Sequence, residues 1–146
     1  MEHMTRVATI RDRHLYIGKF TRYCFVEQGG NAFHLLGEVL SWQNPEKDNL
    51  ALLTDLSDSR DIHEVIRKSN AFCGEFILIA RFGDDVQVFS DASALREIYY
   101  TADCQHLASQ VKLLEKVTVL EKHDDADAID FFKSDVFEQR KLFVGE

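Results

Sequence analysis

The stretch FCGEFILIARFGDDVQVFSD, residues 72–91, decides the fold class of this chain. Its first part, residues 74–82, is an almost unbroken apolar run rich in Ile and Phe, which favours a strand buried on both faces. The turn sequence at 83–85 is of the kind that closes a hairpin, and it leads into a β-rich run at 86–89. A further β-prone run with two tyrosines follows at 97–101. The sequence therefore predicts a three-stranded meander at the centre of the domain.

Most of the chain before residue 42 is predicted to form strands. Two predicted helices separate these strands from the central stretch. The Gly-Gly pair at 29–30 joins two apolar runs and predicts a hairpin, because both residues adopt positive φ at little cost. Pro45, the only proline, predicts a helix that starts there, with Asn44 as its cap and leucines to about residue 57. A second helix is expected to begin at 59–61. The β-like runs lie at 7–10, 14–20, 23–26 and 32–41.

The chain after the central stretch carries weaker signals. Residues 107–114 are expected to form a short helix or turn. Acidic residues at 124–127 predict the start of a helix that runs to about Phe137, because negative charge is favourable in a first turn. Residues 140–145 are expected to form a strand or an extended tail. The order of sheet, helical pair, sheet and helix predicts an α+β domain.

Length, charge and cysteine usage narrow the class of protein. With 146 residues, 45% of them hydrophobic, the chain is expected to form one soluble domain. A net charge of −8 argues against nucleic acid or an anionic membrane as a partner, because phosphates would be repelled. Three cysteines without a CxxC pair, no secretory signal and no bilayer-length apolar run indicate a cytoplasmic protein with reduced thiols. Residues 1–4 look like a vector remnant, which leaves residues 5–146 as the domain.

Three ordered segments carry a family resemblance. Residues 74–76 read GEF, residues 91–100 read DASALREIYY and residues 107–114 read LASQVKLL. In order and spacing they resemble the end of the glutaminase domain of asparagine-synthetase-like proteins, the class II glutamine amidotransferases. The family turn has the form Asp-x-x-Gly-x-Arg-Pro-Leu-Tyr-Tyr, so Ala94 stands for its usual Gly and Glu97 for its Pro.

The resemblance implies a particular fold and a particular partner. The fold is the αββα sandwich of N-terminal-nucleophile hydrolases, in which two stacked, mainly antiparallel sheets are flanked by helices. In the family an ATP-dependent synthetase domain follows a segment like residues 141–143, so we expect the chain to stop before that domain. The expected partner is this synthetase domain or a second copy of the chain, and no cofactor is expected in the chain itself.

The nucleophile that the resemblance requires is missing from the expected place. A glutaminase of this class uses a cysteine at the mature N-terminus, whose α-amino group acts as base. No cysteine follows Met1 or Met4. Thr5 becomes N-terminal if Met4 is the native start and is removed, which makes it the one catalytic candidate. Cys24 would need propeptide cleavage, and its β-prone surroundings favour a buried structural thiol.

The substrate-holding motifs are partly retained. The family sequence Asn-Gly-Glu-Ile aligns with residues 36–39, where Gly37 and Glu38 match but Leu36 replaces the Asn that donates to the oxyanion. Losing one such donor typically lowers the rate by about 10²–10³-fold. The family's amino-group-binding Asp aligns with Asp48, although a single Asp at this point is also typical of a helix start. We therefore expect a degenerate site.

Other polar residues favour structural interpretations. Asp91 and Arg96 are expected to brace the turn between them, with Arg96 bridging to a carboxylate. The histidines show no ligand spacing, and the acidic residues at 124–127 lack the glycine and spacing of a calcium loop, so no metal site is expected. An apolar patch that could recruit a partner is expected around Phe131, Phe132, Leu142 and Phe143.

Three hypotheses follow from the sequence. The first is a catalytically silent glutaminase-like domain that serves as a structural or interaction module for a synthetase domain. The second is an active N-terminal-nucleophile amidohydrolase that uses Thr5 or a processed cysteine. The third is a small-molecule binding module at Gly37, Glu38 and Asp48.

Overall fold

A computed structural model describes residues 4–119 of the chain. The described part is a mixed α+β structure whose sheets are antiparallel. The predicted helix at 124–137, the extended tail and the apolar patch lie outside the described residues. The elements are β1 (Met4–Ile10), β2 (Arg13–Gly18), β3 (Tyr23–Gln28), β4 (Asn31–Ser41), α1 (Asn49–Ser57), α2 (Ile62–Ser69), β5 (Phe72–Phe82), β6 (Asp85–Ser90), β7 (Tyr99–Tyr100), β8 (Leu107–Ala108) and α3 (Val111–Leu114).

A four-stranded antiparallel sheet in the order β3-β4-β5-β6 forms the centre. Its two hairpins are those that the sequence predicts. Gly29 and Gly30 close the β3–β4 turn with φ values of 58° and 83°, and Gly83 opens the short β5–β6 turn. The middle of β5 is buried on both faces, as predicted, since Leu78 and Ile79 point to opposite sides and are 0% and 8% exposed.

The prediction of a third strand in the central meander, at residues 97–101, is wrong. β7 is only two residues long and pairs with β8 in a separate small sheet, not with β6. The physical reason lies in the turn that follows β6, where the Asp91 carboxylate accepts the backbone N–H groups of Ser93, Leu95 and Arg96. These bonds fold the chain back on itself, so that it leaves the central sheet. Residues 107–114 form β8 and α3, which confirms only the short helix expected there.

The helical pair between the sheet regions is confirmed, but its first helix does not start at Pro45 and is not capped by Asn44. α1 begins at Asn49, and Asp48 is its N-cap, whose Oδ1 accepts the Ala51 N–H at 2.8 Å. Asn44 instead opens a turn in which its carbonyl accepts the Lys47 N–H at 3.1 Å. α2 is capped by Asp61, whose carboxylate accepts the Glu64 N–H at 2.9 Å.

The two helices cover one face of the central sheet and close the main core. Alternate residues of β4 and β5 point to this face, as the two-residue period of a strand requires. Leu52, Leu53 and Leu56 of α1 and Val65 of α2 pack against them. The strand residues in this core are Phe33, Leu35, Val39, Phe76, Leu78 and Ala80.

The opposite face of the sheet meets the β1–β2 hairpin at one end. Residues 7–10 of β1, together with side chains of β3, β4 and β5, enclose a cavity. Arg11 in the β1–β2 turn also reaches Asp84 in the β5–β6 turn, with 3.1 Å between Nη2 and Oδ1. Within residues 4–119, no helix has the length and apolar character to span a membrane.

Candidate functional site

Gly37 and Gly74 are required by the close approach of β4 and β5. They have φ values of 104° and 131°, which L side chains rarely adopt. A Cβ on Gly37 would lie 2.1 Å from the Glu75 carbonyl oxygen, and a Cβ on Gly74 would lie 2.4 Å from the Glu38 carbonyl oxygen. Gly37 therefore has a conformational role that is independent of any substrate.

Asn49 ties the start of α1 to this irregular part of β4. Its Nδ2 donates to the Gly37 carbonyl at 2.8 Å, and its Oδ1 accepts the Val39 N–H at 3.1 Å. The Gly37 N–H donates to the Arg22 carbonyl at 2.9 Å. The sequence does not predict this role of Asn49, because an Asn at a helix start does not indicate a contact with a strand twelve residues earlier.

Glu38 and Asp48, the acidic residues of the predicted substrate site, take part in structural contacts. Glu38 forms an ion pair with Arg22. Asp48 caps α1, which agrees with the structural alternative for that residue. Leu36, where the family has its oxyanion donor, is half-buried in β4 and offers no side-chain donor. Gly37, Glu38 and Asp48 thus lie around one junction between β4 and α1.

The two nucleophile candidates lie in different strands. Thr5 is exposed in β1, paired in register with Ile17. Cys24 lies in β3 and packs against the main core. Burial raises the pKa of the Cys24 thiol, and the nearby carboxylates of Asp48 and Glu38 raise it further. A raised pKa keeps the thiol protonated, which is the opposite of what a nucleophilic cysteine needs.

The turn from Asp91 to Arg96 contacts the neighbouring strand β5 through Arg96. The Arg96 Nε donates to the Glu75 carbonyl at 3.1 Å, and its Nη2 lies 3.5 Å from the Glu75 carboxylate. Asp91 is buried, which favours its neutral form, but the N–H groups it accepts outweigh burial and hold its pKa below the ordinary value. Ala94 adopts φ 49°, the left-handed region that favours glycine.

Two cavities in the described part of the chain are lined by none of the residues Gly37, Glu38 and Asp48. The larger, about 350 Å³, lies between the segment after β4 and the helical pair. Among residues 4–119, no group of three or more His, Cys, Asp or Glu side chains could hold a metal ion.

The smaller cavity, about 260 Å³, lies between β1 and the central sheet and contains polar residues that the sequence interpretation missed. His34 is 3% exposed and its Nδ1 lies 2.9 Å from the Tyr23 hydroxyl. Arg81 also lines the cavity and pairs with Glu27, with 3.2 Å between Nη2 and Oε1. The alternation of side chains along a strand could have predicted part of this polar group, because it places Tyr23, Phe25 and Glu27 on one face of β3.

The chain was compared with protein-family models, with curated proteins and with solved structures, and none of the three comparisons finds a match.

Proposed function

We propose that this chain is a catalytically silent glutaminase-like domain that acts in the cytoplasm as a structural or interaction module for an ATP-dependent, amide-forming synthetase domain. The proposal includes the αββα arrangement of that family. Helices cover one face of the central sheet and the β1–β2 hairpin meets the other, an arrangement compatible with it.

One observation carries the proposal: the residues that match the family's substrate motifs are engaged in structural contacts. Glu38 pairs with Arg22, Asp48 caps α1, and Gly37 permits the close approach of two strands. The left-handed φ of Ala94 adds support for the resemblance, because the family has glycine at that point of the turn.

An interaction role is supported by exposed apolar side chains at one end of the central sheet. Leu40 lies on the sheet face opposite the main core and Trp42 directly follows β4, and they are 59% and 69% exposed. Cys73 pairs with Leu40 in register and is also exposed. We name Leu40, Trp42 and Cys73 the open-face patch. The partner of this patch is the synthetase domain or a second copy of the chain.

The absence of catalysis is tested by glutamate release. Untagged protein starting at Met4 is incubated with L-glutamine, and glutamate is measured by a coupled dehydrogenase assay alongside intact mass spectrometry. We expect no glutamate above the uncatalysed background, and wild type, Thr5→Ala and Cys24→Ala to be indistinguishable. Glutamate release that Thr5→Ala or Cys24→Ala abolishes would establish an active amidohydrolase instead.

The interaction role is tested by sedimentation velocity over a range of protein concentrations. We expect concentration-dependent self-association of the wild type and a monomer for the Leu40→Ser, Trp42→Ser double variant. Leu50→Ser is the matched control, because Leu50 is 51% exposed on α1, outside the patch. Equal association of the double variant and wild type would remove the patch from the proposal.

A further inference from the structure

We propose that the cavity between β1 and the central sheet binds a small apolar monocarboxylate, whose carboxylate is held by Arg81 and His34. The cavity shares no residue with the junction of Gly37, Glu38 and Asp48. The inference therefore goes beyond the proposed function and stands or fails separately from it.

His34 presents a fixed donor to this cavity. Its ring is held by the Tyr23 hydroxyl, 2.9 Å from Nδ1, and by the Phe25 ring at 4.8 Å between centroids. As part of this proposal, the Tyr23 hydroxyl donates to Nδ1 and the neutral imidazole carries its hydrogen on Nε2. Within residues 4–119 no protein group hydrogen-bonds Nε2, so this N–H is available to a molecule in the cavity.

Arg81 supplies the charge that selects an anion. It pairs in register with Ala32 and is therefore the diagonal neighbour of His34 on the same face of the sheet. The Cα atoms of diagonal cross-strand neighbours are roughly 7–8 Å apart, so two long side chains at such positions can reach the same ligand. The guanidinium also contacts Glu27, which is 56% exposed and can move into solvent when a ligand carboxylate takes its place. The same positive charge disfavours a metal cation.

The rest of the lining fits an apolar body of limited size. Apart from Thr9 and the polar groups named above, the residues that line the cavity are apolar or aromatic: Val7, Ala8 and Ile10 of β1, Ala32 of β4 and Phe25 of β3. A volume of about 260 Å³ lies just below the usual range for drug-sized ligands. This volume suits a small carboxylic acid.

Binding is expected to change the protonation of His34. Its pKa is lowered to about 4, first by burial and second by the positive charge of Arg81. The groups that face it are Tyr23 and Glu27 on β3 and Arg81 on β5, while the β1 wall contributes no charged side chain. A bound carboxylate favours the imidazolium, so ligand raises the pKa of His34.

The test uses benzoate as the probe and benzamide as its uncharged counterpart. Histidine ring signals are followed by NMR during titration, and the His34 signal is assigned from a His34→Gln spectrum. We expect saturable shifts of the His34 signal with benzoate, little response to benzamide, and a higher His34 pKa in saturating benzoate. Removing a charged hydrogen-bond partner by Arg81→Met should weaken benzoate binding about ten- to a hundredfold.

Two further variants keep the test decisive. Arg67→Met removes an equal charge from exposed α2 and should leave benzoate binding unchanged. Tyr23→Phe removes the donor that fixes the ring and should weaken binding several-fold. Equal responses to benzoate and benzamide, or undiminished benzoate binding by a folded Arg81→Met protein, would overturn the proposal. Absence of any His34 shift in the folded wild type would overturn it as well.

Discussion

Gly37 shows how a backbone requirement can coincide with a family motif. It matches the glycine of a glutaminase motif, yet its φ of 104° and the nearby Glu75 carbonyl already account for it. We expect Gly37→Ala to lower the free energy of unfolding by about 3–5 kcal/mol, from backbone strain and from displaced neighbours. Urea unfolding measures this change.

Gly29 provides the matched control for that substitution. It has φ 58° in the β3–β4 turn, but no atom lies within 4 Å of an added Cβ. Gly29→Ala should cost about 1–2 kcal/mol, the penalty of the left-handed conformation alone. Equal costs at the two positions would contradict the close-approach account of Gly37.

His34 predicts a loss of stability in mild acid. Its folded pKa of about 4 lies below the ordinary 6.5, because burial and Arg81 disfavour the charged ring. Between these pH values the unfolded chain binds the extra proton, so stability falls as pH falls from 6.5 towards 4. The difference in unfolding free energy between wild type and His34→Gln should shrink by up to about 3 kcal/mol over this window.

The control for this acid effect is His63→Gln, which alters an exposed residue of α2. This variant should follow the pH dependence of the wild type when unfolding is measured from pH 7 to pH 4. A pH-independent difference between wild type and His34→Gln would contradict the buried, neutral state of His34.

At the scale of elements, substitutions near the start of α1 test whether Asp48 or Asn44 caps this helix. As an N-cap, it should contribute about 1 kcal/mol, so Asp48→Ala should lower the unfolding free energy by that amount. Asn44→Ala should change it by less than about 0.5 kcal/mol, because the Asn44 backbone, not its side chain, forms the turn. Thermal or urea unfolding distinguishes these values, and the reverse order would restore Asn44 as the cap.

The turn from Asp91 to Arg96 offers a stabilising substitution. Ala94 occupies the left-handed region at φ 49°, so Ala94→Gly removes that strain and should raise stability by about 0.5–1 kcal/mol. Ala92→Gly in the same turn is the control and should be neutral or destabilising. A destabilised Ala94→Gly protein would show that the turn is not held as described.

The elements that the sequence predicts well are those whose signals are local. The Gly29–Gly30 hairpin, the helical pair and the buried strand β5 follow from turn residues and apolar patterning. The separation of β7 from the central sheet depends on three backbone amides that donate to the Asp91 carboxylate. The strand pattern at 97–101 does not predict this separation. The same holds for Asn49, whose contacts with β4 are tertiary.

At the scale of the whole molecule, the two faces of the central sheet differ. One face is closed by α1 and α2 over the main core. The other carries the His34 cavity at one end and the exposed Leu40 at the other, where Trp42 directly follows β4. The cavity and the open-face patch were not predicted, because both arise from how the β1–β2 hairpin meets only part of this face.

We propose that Gly37, Glu38 and Asp48 serve the fold and not a ligand, and a titration of isotope-labelled protein with L-glutamine, followed by backbone amide NMR, tests this most directly. We predict no saturable shifts at Gly37, Glu38 or Asp48 up to millimolar glutamine, while the spectrum stays that of a folded protein. Saturable shifts centred on these three residues, reduced by Asp48→Ala, would contradict the account and make their junction a functional glutamine site.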